Sequence, residues 1–289
     1  MALYRKFNNL IFFTIAGSIL SIIILGVSFG TKNWYESKAS VSNNAITSTL
    51  TVHYGLFAGA KTIQLNSGDL DAGQKRELKI VCEAKENACM FSCGYNSDVR
   101  KRNLVYYLEG GANSSDTTFC IETPSTSDIS RFNRAGTFAS NLDKSIFLNF
   151  ALWLLTLLFL VGGILFSAIS GILALVNTYR APSQPILSVY GLYIWNGLSA
   201  GCTLMVMIFW GVAFGIGLKD HAAISDTLSN GLKNDSAKLG YSFWILLLPE
   251  FLCLANIGIL RYRTWKIHQI ETTHRVVDDK ITNHETLLF

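Results

Sequence analysis

The sequence predicts a membrane all-α bundle of four spans, carrying a small disulfide-stapled antiparallel β-sheet in a large first extracellular loop. Three observations predict it. Apolar residues make up 50% of the 289 and charged residues only 15%, against about 25% charged in a soluble domain, and the mean hydropathy is +0.32. The apolar residues gather into four long stretches, and four of the six cysteines fall between the first two of them. This composition excludes an ordinary soluble enzyme and a disordered chain. With only 4 prolines and no biased tract, a low-complexity reading is excluded too, and a net charge of +4 is too small to point to nucleic acid.

The stretches are residues 10–30, 146–176, 187–218 and 241–260. About 20 apolar residues cross a bilayer core. The first three contain no Asp, Glu, Lys or Arg, and the fourth contains only Glu250. Orientation follows the positive flanks: Arg5 and Lys6 before the first span, Arg180 between the second and third, and Arg261, Arg263 and Lys266 after the fourth. These flanks share one side, which is the cytoplasmic one. The expected order is a cytoplasmic N-terminus (1–9), the first span, an extracellular loop (31–145) and the second span. A cytoplasmic loop (177–186), the third span, a second extracellular loop (219–240), the fourth span and a cytoplasmic tail (261–289) follow. A cleaved signal peptide is the rival for the first span; the long apolar run and the lack of an A-x-A site favour a retained anchor. Tyr241, Trp244, Tyr262 and Trp265 bracket the fourth span as an interfacial aromatic belt.

The first loop holds Cys82, Cys89, Cys93 and Cys120. Four cysteines in an extracellular segment read as two disulfides, and three pairings satisfy them. Metal binding is disfavoured, because the loop has one histidine, His53, and no C-x-x-C pair. Cys202 and Cys253 lie inside spans and read as packed thiols. Two glycosylation sequons, at Asn113 and Asn234, fall in the two extracellular loops; Asn234 stands close to the fourth span. Residues 46–57, 77–81 and 104–108 are strand candidates, and 66–73 and 110–116 are turn-rich.

Within the spans small residues recur at helical spacing: Gly17 and Ser21; Gly163, Ser167 and Gly171; Gly197 and Gly201; Gly211 and Gly215. In lipid such faces let backbones approach closely. Packing inside the chain's own bundle is the first reading, and a seam for another membrane protein the second. Glu250, just after Pro249, costs about 2.5–3.5 kcal/mol at a span centre if charged. It is expected to be neutral and structural, bonded to a neighbouring helix or to carbonyls freed by Pro249. An ion or proton relay is the alternative, and a lone acid is thin support for it.

No nucleotide-binding, zinc-protease or nucleophile-elbow motif is present, and the five histidines are scattered. The chain therefore reads as a non-enzyme without cofactor, whose partners are membrane lipids and other membrane proteins. Its last residues, Leu287, Leu288 and Phe289, place apolar side chains two apart before a free carboxylate, as a PDZ ligand does. The alternative is a chance apolar run at the mobile end of a polar tail.

Four spans with a large first extracellular loop is the claudin-like plan. Trp34, followed by Gly55, Leu56 and Phe57, resembles the claudin W…G-L-W signature. The closer resemblance is to the clarins, a branch of that superfamily. Tyr54-Gly55-Leu56-Phe57-Ala58-Gly59 is similar to the clarin YGLF-x-G segment, and Tyr190-Gly191-Leu192-Tyr193 to their GLY stretch. Ser199-Ala200-Gly201-Cys202, Leu204–Phe209 and Ser242-Phe243-Trp244 continue the likeness. The sequence departs where claudins place a cysteine, at Ala60, and lacks a sequon in residues 43–47. The resemblance implies a non-enzymatic multi-pass plasma-membrane glycoprotein linked to sensory cells, membrane microdomains, cortical actin and synaptic organisation. An auxiliary subunit of a channel or receptor, like the claudin-related AMPA-receptor regulators, and a claudin-type adhesion protein are the alternatives.

Overall fold

The computed structural model describes residues 2–43, 46–66, 74–108, 146–179, 188–224 and 235–286. The elements in chain order are α1 (Ala2–Gly30), β1 (Tyr35–Asn43), β2 (Ile46–Tyr54), β3 (Ala58–Asn66), β4 (Gln74–Glu83), β5 (Ala88–Ser92) and α2 (Ser97–Leu108). They continue with β6 (Leu148–Asn149), α3 (Phe150–Tyr179), α4 (Val189–Ala213), a π-helical turn (Phe214–Leu218), β7 (Ser236–Leu239), α5 (Tyr241–Trp244) and α6 (Leu247–Thr286).

Four helical segments are long and apolar enough to cross a membrane: Leu10–Gly30, Phe150–Tyr179, Val189–Leu218 and Tyr241–Thr273. The shortest has 21 residues. At 1.5 Å per residue it spans about 31 Å, the thickness of a bilayer core. Large apolar side chains point outward from all four, among them Phe13, Leu158, Ile208 and Phe251. In water that surface would be costly; in lipid it is the expected covering.

The chain divides into two compact units. The first gathers Met1–Leu25, Gly162–Thr203 and Leu247–Phe289. Its apolar core is Ile11, Leu173, Ala174, Leu192 and Leu260, one or two residues from each of the four helices. The second comprises Gly26–Val161 and Leu204–Leu246, and it contains the whole β-sheet. The strand order is β6-β5-β4-β3-β2-β1-β7, antiparallel throughout.

Alternation explains the sheet's two faces. In β1, Tyr35, Ser37 and Ala39 are buried while Lys38 is exposed; in β2, Leu50, Val52 and Tyr54 are buried. All five residues of β5 are buried, because it is covered on both faces. Phe91 belongs to the aromatic face, and on the other Ala88 and Met90 pack against Leu104 and Tyr107 of α2 and against Phe147. The turn between β4 and β5 needs a left-handed residue, which Asn87 supplies at φ 51°. Cys82 and Cys89 stand opposite each other across this hairpin and form a disulfide.

Three differences from the sequence reading have physical causes. Residues 104–108 are the end of α2, not a strand: their burial follows a helical i, i+3 pattern through Leu104 and Tyr107. The second membrane helix starts at Phe150 rather than at 146, because Leu148–Asn149 pairs with β5 and the Asn149 carboxamide caps the N–H of Leu152 at 3.1 Å. The sheet extends beyond the first loop in which it was expected, since the second loop contributes β7, which covers the free edge of β1. The polar tail, too short to build a core of its own, is helical through Thr286, and its last residues, 287–289, lie outside the described residues. Residues 66–73 beyond Asn66, residues 110–116 and Arg180 lie outside the described residues.

Candidate functional site

The residues of the Trp34 and Tyr54–Phe57 motifs meet in the second unit, where the sheet joins the helices. Trp34 follows α1 and is fully buried. Its indole N–H donates to the Ser28 carbonyl at 2.7 Å, and its backbone N–H to the Tyr54 carbonyl at 2.9 Å. Its ring stands edge-on to Trp210 at 5.4 Å. Tyr54 is sandwiched between Tyr35, at 4.5 Å between ring centroids, and Phe91, at 3.9 Å. The Tyr35 hydroxyl donates to the Leu218 carbonyl at 2.7 Å. The Tyr54 hydroxyl is buried without a partner among the described residues, and burial, with Tyr35 beside it, pushes its ionisation well above the ordinary tyrosine range.

Gly55 turns the chain from β2 into β3. A side chain there would overlap the Thr31 carbonyl, and one at Gly59 would overlap the Tyr54 and His53 backbone. Leu56 is fully buried and its carbonyl accepts the Trp153 indole N–H at 2.8 Å. Phe57 meets Phe29 edge-on at 5.0 Å and Trp153 at 6.5 Å. Further along, Ser28 and Thr31 bond the Ser242 backbone and hydroxyl at 2.8 and 2.7 Å. Each motif residue therefore fixes the junction of sheet and helix: rings pack it, indoles satisfy carbonyls, and glycines admit the close backbone.

In the first unit a polar network crosses the apolar core. Asn196 donates to the Ser170 hydroxyl at 2.7 Å and to the Leu192 carbonyl at 2.8 Å. Asn256 donates to the Asn196 side-chain carbonyl at 3.1 Å and to the Thr14 carbonyl at 3.5 Å. Ser199 shares a bond with Ser167 at 2.7 Å and donates to the Gly163 carbonyl at 3.1 Å. The Cys253 thiol donates to Ser199 at 3.6 Å. All four membrane helices contribute, through hydrogen bonds of the kind that join helices in lipid. Sequence reasoning missed Asn196 and Asn256. The available signal was an asparagine in each of two spans otherwise nearly free of amides.

The small-residue faces divide. Gly17 approaches Asn256, Gly171 approaches Ser18, and Gly163 lies against Thr203 and Leu25; these pack inside the bundle. Gly197, Gly201, Gly211 and Gly215 have nothing within 4 Å of where a Cβ would stand, so packing inside the bundle does not account for them. Of the GLY stretch, Leu192 is fully buried and the Tyr193 hydroxyl lies 3.3 Å from that of Thr264, while the Gly191 N–H caps onto the Ser188 carbonyl at 3.0 Å. Glu250 is not midway along a helix. The fourth span breaks at Ile245–Leu246, and Glu250 lies in the first turn of α6. Pro249 there frees no carbonyl, since first-turn N–H groups have no intrahelical acceptor. Its Oε2 has no partner among the described residues.

On the exposed side of the sheet, a groove of about 300 Å³ is lined by Asn33, Glu36, Lys38, Thr51, His53 and Lys238, among others. Lys238 pairs with Glu36 at 2.9 Å and, with Asn33, holds that carboxyl below its usual range. Burial pushes the His53 imidazole down, and Lys75 and Lys32 add to this. Among the described residues no three His, Cys, Asp or Glu side chains come together as a metal site. Cys93 is also disulfide-bonded; Cys120, the sequons at Asn113 and Asn234, and Leu287–Phe289 lie outside the described residues.

Four membrane-length helices and a disulfide-bonded extramembrane antiparallel sheet define a multi-pass tetraspan membrane protein. No protein-family model matches the chain. In sequence it is similar to Clarin-3 of Mus musculus, 22% identical over 268 residues, covering 90% of this chain and 89% of that protein. It is similar to Clarin-3 of Homo sapiens at 24% over 255 residues, covering 86% and 82%. The likeness to Clarin-3 of Rattus norvegicus is 22% over 236 residues, covering 80% and 75%.

Proposed function

We propose that this chain is a clarin-type, claudin-like tetraspan protein of the plasma membrane, with both termini cytoplasmic. It is a non-enzymatic organiser of membrane microdomains, cortical actin or sensory and synaptic assemblies. The observation that carries the reading is the junction. Trp34, with which it resembles claudins, and Tyr54–Phe57, with which it resembles clarins, are residues that lock sheet to helices, and the likeness to Clarin-3 extends along 80–90% of the chain. Such a molecule presents one rigid extracellular surface and one apolar lipid-facing surface, and acts by lateral contact. The glycines at 197, 201, 211 and 215 offer a close-approach face to a neighbour in the membrane. The apolar C-terminus offers a strand to a PDZ scaffold linked to actin.

The test is purification of the tagged full chain in mild detergent from expressing cells, with epitope staining of both termini. Cytoskeletal scaffold proteins should co-purify, their capture should fall when Phe289 is changed to Ala, and both tags should need permeabilised cells. A channel or receptor subunit recovered in equal amounts, with no scaffold, would replace this reading by the auxiliary-subunit one. Staining of the N-terminal tag on intact cells would overturn the topology.

A further inference from the structure

The groove on the exposed side of the sheet takes no part in locking sheet to helices. It crosses β7, β1 and β2, whose register sets two rows of side chains in it. One row is Ser236, Lys38 and Thr51; the other is Lys238, Glu36 and His53. Adjacent strands stand about 4.8 Å apart, so each row crosses about 10 Å. A volume of about 300 Å³ lies at the lower limit of ligand pockets. It admits one ring-sized group, not a chain.

The two rows differ in charge. Both oxygens of Glu36 are engaged, one accepting from the Asn33 amide at 3.4 Å and the other from Lys238 at 2.9 Å. A cation therefore finds no free carboxylate here. Lys38, between Ser236 and Thr51, is exposed and forms no ion pair among the described residues. Lys32 and Lys75 stand near enough to act on His53. These four lysines outnumber the carboxylates of Glu36, of Glu77, which pairs with Lys32 at 3.7 Å, and of Asp235, which precedes Ser236. The groove thus favours an anion, and Lys38 is the group that meets it.

The rest of the lining suits hydroxyl groups. Ser236 and Thr51 each bring a hydroxyl and Asn33 an amide. The His53 ring, pushed down by burial and by Lys75 and Lys32, stays neutral at neutral pH. It can donate from one nitrogen and accept at the other. Val52 is the only apolar residue in the described lining and is 1% exposed. A lipid tail therefore finds no wall, while the lysine stems can cover the apolar side of a sugar ring. One acid group and several hydroxyls on a compact ring match this set.

We propose that this groove binds the carboxylated sugar at the end of a cell-surface glycan, a sialic acid, with its carboxylate on Lys38 and its hydroxyls on Ser236, Thr51 and His53. Only the source of the sugar rests on the topology proposed above, which puts this face outside the cell.

The experiment uses the full chain in phosphatidylcholine nanodiscs. Its N-glycans are removed, because the sequon at Asn234 ends on the groove residue Ser236. Sialyllactose and lactose are titrated, and binding is read by saturation-transfer NMR. Sialyllactose should bind saturably and about tenfold or more tighter than lactose, the worth of one charge-assisted hydrogen bond. Lys38→Gln should remove that preference and Lys38→Arg keep it. Lys79→Gln, which removes an exposed lysine of β4 outside the groove, should change nothing. Circular dichroism checks that each variant is folded. No binding, equal binding of the two sugars, or an undiminished preference in Lys38→Gln would overturn the proposal. Nanodiscs carrying a sialylated glycolipid separate the sources. Loss of soluble-sugar binding there assigns the site to glycolipids of the same membrane, and unaltered binding assigns it to glycans of another molecule. The epitope staining that tests the topology is independent of this assay, so failure of one is distinguishable from failure of the other.

Discussion

Deleting one oxygen from either of two stacked tyrosines should have opposite consequences. Tyr35 and Tyr54 are both fully buried and lie 4.5 Å apart. The Tyr35 hydroxyl donates to the Leu218 carbonyl at 2.7 Å, while the Tyr54 hydroxyl has no partner among the described residues. Losing a buried hydrogen bond costs about 0.5–1.5 kcal/mol, and removing an unsatisfied buried polar atom returns about 1–3 kcal/mol. Tyr35→Phe should therefore destabilise by about 1 kcal/mol and Tyr54→Phe stabilise by about the same. At a few degrees per kcal/mol for a chain of this size, the two unfolding midpoints should differ by about 4–8 °C in detergent. Alkali sharpens the test. Burial holds the Tyr54 hydroxyl well above the ordinary tyrosine value of about 10 in the folded protein. The unfolded chain therefore loses that proton first, and stability falls as pH rises past that value. Tyr54→Phe should blunt the alkaline loss. If Tyr54→Phe proves as destabilising as Tyr35→Phe, the reasoning from the unpaired hydroxyl fails.

Three further outcomes are expected. Gly55→Ala, whose methyl would overlap the Thr31 carbonyl, should cost about 1–3 kcal/mol and reduce the fraction reaching the cell surface in flow cytometry. Asn256→Leu should weaken the bundle, and a double-mutant cycle with Asn196→Leu should return a coupling of about 0.6–1.7 kcal/mol; zero coupling would refute the bond between them. The His53 imidazole is depressed by burial and by Lys75 and Lys32, so its contribution is present above the ordinary value of about 6.5. It is lost as pH falls through the folded value, because the unfolded chain binds the proton first. His53→Gln should remove that acid-side slope from unfolding curves, and an unchanged slope would assign it to another group.

What the sequence determined by itself was whatever composition and period record. Four apolar runs of membrane length have few alternatives in a bilayer, because lipid forces every backbone group into an internal hydrogen bond. Strand content in 46–57 and 77–81 was legible from β-branched residues and alternation, and the observed β2 and β4 cover most of both. Trp34, Tyr54 and Gly55 stood out as a pattern, but their roles did not. That Gly55 must be small is a fact about Thr31, and that Tyr54 lies between two rings is a fact about Tyr35 and Phe91. Residues 104–108 show the limit of local reading: five strand-prone residues became helix because the covered face of β5 offered apolar contacts at helical spacing. The joining of Asn196 to Asn256, sixty residues apart, the break before Glu250 and the outward turn of Gly197 and Gly201 were decided only by the tertiary structure. Which face of a uniformly apolar helix looks inward depends on what its neighbours present, and hydropathy carries no record of that.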